Sequence, residues 1–545
     1  GDSFAGQFRL RDGTRGLGIR TFDLNQAYGY GGAVDFMDAD NDWNNVNPQQ
    51  DEYAGDAHWG TERTYDYFLD IHGRNSIDDA GFQLNSYVHY GVNYVNAYWD
   101  GTRMTYGDGN GAPYTPLVSL DIAGHEIAHG LTNFTANLIY YGESGALNES
   151  FSDIFGTAIE NFARPGDWDW LLSADIGASF RSLENPNAYG DPDTYFGTNW
   201  APLVGADNGG VHTNSGVQNF WYYLLVTGGA GTNDNGDAYT VGALGFEPAS
   251  AIAFRNLTVY LTDGSDHPDA RFFAIQSAID LYGECSVEEK ETTNAWYAVG
   301  VGPEYVSIVE GDFTATIGCF PDGEVDFTDA STTAAGVLDT WAWDFGDGGT
   351  SPDANPTHTF AGTGLFPVEL TVTNDLGCED VFLLDVEVFD APVVDFTFAD
   401  LCEGDLTTFT DGTTIPVGAI TDWDWDFGDL GTSPLADPTY TYATFGTYDV
   451  KLVATSDNGC KDSLTTPLTI NPSPVADFSF DDGCVNVDAA FTNLSTSPDG
   501  APLTDFSWDF GDGTPADVSE DPTHTYAGPG AYDVTLDVVS AEGCQ

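Results

Sequence analysis

The chain has 545 residues, and its 14 lysines and arginines against 86 aspartates and glutamates leave a formal charge of −72. That balance excludes general affinity for nucleic acid or for an anionic membrane surface, since both need clustered cations. Disorder and membrane insertion are excluded too: 41% hydrophobic and 14% aromatic residues suffice for packed cores, and no apolar run reaches the roughly 18 residues that cross a bilayer.

At about 150 residues per domain the length predicts three to four domains. The chain opens at Gly1 with no Met and no signal peptide, so the expectation is a product processed from a precursor. Residues 1–130 read as a β-rich lobe ending in a metal-motif helix, and 131–304 as a mainly helical lobe. Early in the first lobe, Asp38, Asp40 and Asp42 alternate along one loop. That spacing suits a hard cation wanting oxygen ligands, with a solvated acidic turn as the plain alternative.

The first strongly helical stretch contains His125-Glu126-Ile127-Ala128-His129. On a helix, positions i and i+4 share a face, so the two imidazoles grip one ion while Glu126 sits toward its open side. The bland alternative is a helix with two surface histidines. The following segment argues against that alternative. Glu149 offers a third ligand, giving two histidines and one carboxylate, which is the pattern of a catalytic zinc. Asp153 follows one turn later and is placed to orient a ligand imidazole. Farther on, Asp207-Asn208-Gly209-Gly210-Val211-His212 supplies another histidine with a nearby acid.

Residues 5–304 resemble the thermolysin-like neutral metalloproteases. The motifs that carry the resemblance are Asp56–Trp59, Asn96–Trp99, Met104–Gly109, the His125 pentapeptide, the Glu149 segment, Arg181–Leu183 and the His212 segment. The resemblance implies one catalytic zinc on His125, His129 and Glu149, with Glu126 as general base toward a metal-activated water. It implies that Tyr140 and His212 hydrogen-bond the oxyanion, that Asp207 orients His212, and that Asn96 and Arg181 hold the substrate backbone. Asn148 and Asp153 would support the ligand imidazoles. Ile122 and Phe180 would line a pocket for an apolar residue after the cleaved bond, or else serve only as core. One or two structural calcium ions are implied, at Asp38, Asp40 and Asp42 and near Asp121, Glu160 and Asp169. Leu171 and Ala174 stand where a paired-calcium site wants carboxylates, so one ion is expected near Asp121.

Beyond residue 304 the texture changes. Trp-Asp-Phe-Gly-Asp recurs at Trp343, Trp425 and Trp508, at intervals of 82 and 83 residues. Period-2 alternation after each copy predicts three small β-sandwiches, at 305–391, 392–473 and 474–545, joined at Pro-containing segments. Six cysteines fall two per repeat, which predicts one disulfide inside each: Cys319 with Cys378, Cys402 with Cys460, and Cys484 with Cys544. Cys285 is left over and reads as a buried thiol unless a partner lies outside this chain. Paired cysteines place the protein in an oxidising compartment. The repeats resemble tandem polycystic-kidney-disease-type (PKD) domains, which implies immunoglobulin-like sandwiches behind the catalytic unit of a secreted bacterial hydrolase. After Cys544 only Gln545 remains, so the last strand of the third copy is expected from a partner or a C-terminal extension.

The expected architecture is therefore multidomain: an α+β, two-lobed thermolysin-like unit followed by three all-β sandwiches. The expected function is that of a secreted or cell-surface zinc endopeptidase acting on proteins and peptides. Its repeats would serve as spacers, as calcium-stiffened stalk, or as weak binding modules for an insoluble protein or cell surface. An adhesive surface protein with an inactive peptidase domain is the alternative from another class. The charge reads as a hydrated acidic surface of halophilic type, with salt- and calcium-dependent stability.

Overall fold

Alternation along Ile19–Asp23 buries every second residue, and the same holds for Leu84–Val88. These two strands lie parallel, and Leu84–Val88 also runs parallel to Met104–Tyr106. Ala97–Trp99 closes the sheet antiparallel to Met104–Tyr106, while Arg11–Asp12 and Val34–Asp35 both pair with Ile19–Asp23. A parallel pair needs a long crossover, and helix α1 (Asp51–His72) lies within it. This computed structural model describes residues 2–43, 50–399 and 402–545. No helix among the described residues is long and apolar enough to cross a membrane.

The chain divides into two units. The first comprises Gly1–Val309 with Thr333–Leu338 and Thr373–Glu379; the second holds the remainder. Within the first, α2 (Leu120–Asn133) and α3 (Gly142–Ala163) are buried on nearly every face, as their high content of small and apolar residues requires. They cross almost backbone to backbone. A Cβ at Gly124 would stand 3.1 Å from the Gly156 Cα, and one at Gly156 only 2.7 Å from the Asp121 carbonyl oxygen. Helices α4 (Asp207–Asn214), α5 (Gly216–Thr227), α6 (Phe246–Arg255), α7 (His267–Tyr282) and α8 (Val287–Ala298) complete this unit. One apolar core, including Leu84, Ile127, Phe151, Trp221 and Trp296, runs through both lobes.

The repeats are all-β. In the second copy, Phe396–Ala399, Leu406–Asp411 and Thr439–Thr441 form one sheet. Thr432–Ser433, Ile420–Asp426, Gly446–Ser456 and Lys461–Ile470 form the other. Phe409, Trp425, Val450 and Leu452 fill the space between them. The motif tryptophans Trp343, Trp425 and Trp508 are buried, and each indole N–H donates to a backbone carbonyl, on Asp353, Leu435 and Ser519. In the third copy, Leu503–Asp509 pairs with Thr535–Ser540.

The disulfides differ from the expected pattern. They join Cys285 to Cys378, Cys319 to Cys460, and Cys402 to Cys544, and Cys484 is a free, exposed thiol. The reason is strand length. Cys319 lies opposite Phe389, at the far end of the strand Glu379–Asp390 that begins beside Cys378. An extended strand rises about 3.3 Å per residue, which puts Cys319 and Cys378 roughly 35 Å apart, far beyond the 7 Å or so that a disulfide spans. Cys402 lies opposite Asn471, at the far end of the strand that follows Cys460, and is separated from it in the same way. Each repeat's second cysteine therefore bonds backward, and Cys378 takes Cys285 of the catalytic unit.

Candidate active site

The close crossing of α2 and α3 brings three side chains from two helices to one point. His125 and His129 come from α2 and Glu149 from α3, and their ligand atoms all lie within 4.8 Å of one another. The two Nε2 atoms stand 3.1 Å apart. His125 Nε2 is 3.6 Å from Glu149 Oε2, and His129 Nε2 is 3.5 Å from Glu149 Oε1. Ligands about 2.1 Å from a zinc ion at tetrahedral angles stand about 3.4 Å apart, so the donor set and its spacing fit that metal. Among the described residues this is the only group of three or more His, Cys, Asp or Glu that converges so closely.

The supporting contacts are buried. Asn148 Oδ1 lies 2.7 Å from His129 Nδ1, and the Asn148 amide donates to the Leu138 carbonyl. Ser152, absent from the sequence reading, places its hydroxyl 3.1 Å from the same Nδ1. Its signal was in the sequence, since it stands one helical turn after Asn148. Asp153 Oδ1 lies 2.8 Å from His125 Nδ1, and Arg181 clamps the Asp153 carboxylate through Nε and Nη2, each at 2.7 Å. Burial by itself raises the Glu149 and Asp153 carboxyls, but His129, His125, His212 and Arg181 around Glu149 hold it well below the usual carboxylate range. Arg181 and His125 do the same for Asp153. For Glu126 the balance is the reverse: burial pushes its carboxyl up to about 7, with the Glu149 charge adding to the rise and His129, the Trp99 N–H and Arg181 only partly offsetting it.

A cleft of about 780 Å³ opens over this group. Asn96 lines the cleft and is exposed, and Ile122, Phe180, Leu117 and Leu172 line it too. Phe180 also stacks on Tyr114, with ring centroids 5.1 Å apart. Tyr140 donates to Glu149 Oε1, and its hydroxyl lies 3.1 Å from His212 Nε2. His212 reaches the cleft because Asp207, Asn208, Gly209 and Gly210 all take left-handed backbone conformations, at φ 54°, 47°, 83° and 78°. The turn folds Asp207 back, and its Oδ1 lies 2.5 Å from His212 Nδ1. Two non-glycine residues in that region store local strain, as is common at functional sites.

The acidic residues considered for calcium do not converge in this way. Asp38 accepts the backbone N–H groups of Asp40 and Asp42, and Asp169 accepts that of Leu171. Asp121 and Glu160 are buried, and Arg164 contacts Glu160 and lies 2.8 Å from Asp175.

Five segments of the chain match known protein families. Residues 2–133 match the thermolysin metallopeptidase catalytic domain and 136–301 its alpha-helical domain. Residues 318–388, 389–470 and 471–545 each match the PKD domain. A bacillolysin of Bacillus cereus is 42% identical over 301 residues, covering 54% of this chain and 51% of its own. A thermolysin of Alicyclobacillus acidocaldarius subsp. acidocaldarius is 40% identical over 310 residues, covering 55% and 54%. The chain thus spans about half the length of the curated relatives it matches. Among solved structures, the precursor of protealysin from Serratia proteamaculans is 27% identical with a TM-score of 0.43, covering 55% of this chain and 91% of that one. The chain belongs to the thermolysin family of metallopeptidases, with three PKD domains following its catalytic unit.

Proposed function

We propose that the chain is a secreted zinc-dependent endopeptidase that hydrolyses internal peptide bonds of proteins, with a preference for an apolar residue after the cleaved bond. The observation that carries this reading is the convergence of His125, His129 and Glu149 beside a buried Glu126, at the floor of an open cleft. His125, His129 and Glu149 would hold a zinc ion, which when bound would supply a Lewis acid for the scissile carbonyl and for a water molecule. Glu126 takes the proton from the attacking water and returns it to the leaving amine. Tyr140 and His212 donate to the oxygen on which negative charge grows, each worth about 3 kcal/mol in the transition state. Asp207 keeps His212 oriented, while Asn96 and Arg181 hold the substrate backbone beside the scissile bond.

The apolar side chains Ile122, Leu117, Leu172 and Phe180 in the cleft lining support the apolar preference. The disulfides fit an extracellular, oxidising setting. The PKD domains serve as spacers or weak binding modules for insoluble protein. Structural calcium at the Asp38–Asp42 turn and beside Asp121 and Glu160 belongs to the same proposal, supported at the second place by Glu160, whose carboxyl is pushed up to about 8 by burial and by the neighbouring Asp121, Asp175 and Asp169.

Zinc analysis together with casein hydrolysis tests the core of the proposal. Native protein is expected to carry one zinc per chain and to lose activity to a chelator. Glu126→Gln is expected to keep the metal and lose about a thousandfold in kcat. Full activity in that variant would overturn the mechanism.

A further inference from the structure

Asp153 is completely buried, and each of its oxygens receives two partners. Oδ1 meets His125 Nδ1 at 2.8 Å and Arg181 Nη2 at 2.7 Å. Oδ2 accepts from Arg181 Nε at 2.7 Å and from Asn219 Nδ2 at 2.8 Å. Three of the four contacts therefore come from groups that face the cleft: a zinc-ligand imidazole and the guanidinium assigned to the substrate backbone. The fourth comes from Asn219, a fully buried residue on α5 with no part in the cleft lining. Its own Oδ1 is buried without a hydrogen-bond partner. The amide is thus committed to one contact, the donation to Asp153.

We infer that Asn219 is a positioning residue: by filling the last acceptor site of Asp153 it fixes that carboxylate, and through it both His125 and Arg181. The physical argument rests on the carboxylate's needs. A buried carboxylate must have its lone pairs satisfied. A carboxylate with one oxygen only half satisfied turns toward its strongest donor, and here a turn about the Cβ–Cγ bond moves the two functional groups together. A neutral amide completes the set without adding a charge that would compete with His125 or Arg181 for the carboxylate. Partners of this kind beyond the metal ligands typically account for 10- to 100-fold in metal affinity or activity.

The inference rests on the functional reading above, and its test separates the two. In the full chain, Asn219→Leu keeps the branched shape and the number of side-chain heavy atoms, at the cost of extra bulk, and removes the donor. Zinc affinity, measured by competition with a chromophoric chelator, is expected to fall about tenfold. On a peptide substrate KM is expected to rise several-fold as Arg181 loses its fixed position, with a smaller fall in kcat. Asn219→Gln, which keeps an amide donor, is expected to recover part of both. A folded Asn219→Leu with unchanged zinc affinity and KM would overturn the inference, as would a lowered melting temperature with both values unchanged. Asn219→Ala gives the same readings should the leucine variant fail to fold. A wild-type chain that holds no zinc would overturn the functional reading itself.

Discussion

His58 shows at a single residue how burial sets a pH limit on this fold. Its ring is buried on α1, with Nδ1 2.9 Å from the Thr21 hydroxyl, and burial pushes its pKa from the ordinary 6.5 down to about 4. Between those two values the unfolded chain binds a proton that the folded chain refuses, so stability falls as the pH drops through that window. The loss amounts to about 3 kcal/mol by pH 4. His58→Gln removes the group that must charge, and urea titrations at pH 7 and at pH 4.5 are expected to differ less in the variant than in the wild type. An acid limb of unchanged steepness would refute that assignment. The metal-site residues belong to this scale as well. The pair His125 and His129 was legible because its spacing is local, fixed by one helix. Asn219 was not, since it reaches Asp153 across a sequence gap of 66 residues and no spacing rule connects them.

At the scale of elements, the site depends on how closely α2 and α3 approach. Gly124 and Gly156 permit that approach, and the triad straddles the two helices they join. Gly156→Ala would drive a methyl group into the Asp121 carbonyl, for which the available distance is 2.7 Å. Neither helix has room to yield inside the shared core, so the expected cost is about 1–3 kcal/mol in stability. The displacement also separates Glu149 from the two histidines, so zinc affinity should fall in the same variant. Calorimetry and chelator competition check the two effects separately. The existence of both helices could be read from their composition, but their glycine contact could not, because nothing in either segment alone names its partner.

For the molecule as a whole, the disulfides form a ladder. Each closes a loop, of 93, 141 or 142 residues, that contains one joint between successive domains. Loops of that length constrain the unfolded chain by about 4–5 kcal/mol apiece on the chain-entropy account. The connectivity also has a direct consequence for proteolysis: cutting any joint leaves its two sides covalently linked. Limited digestion is therefore expected to yield one band on a non-reducing gel and separated fragments only after reduction. Early release of repeats without reductant would contradict the connectivity. The charge of −72 acts over the same scale. Self-repulsion on that surface is screened by salt, so the melting temperature should rise from low ionic strength to about 2 M sodium chloride. Calcium is expected to add to that rise, and a melting curve indifferent to both would count against an acidic surface adapted to salt.

What the sequence determined by itself was everything carried by short-range periodicity. The division into a catalytic unit and three repeats, the strand character of 305–545 and the two histidines on one helix face all follow from patterns within one element or from its repetition. What only the tertiary structure decided were the contacts set by distance in space. Two cysteines per repeat at nearly constant spacing look like an internal pair, yet a strand of 10 or 12 residues holds them at opposite ends of the sandwich and sends each bond to a neighbouring unit. Composition fixes which elements form, but the length of an extended strand fixes which side chains meet.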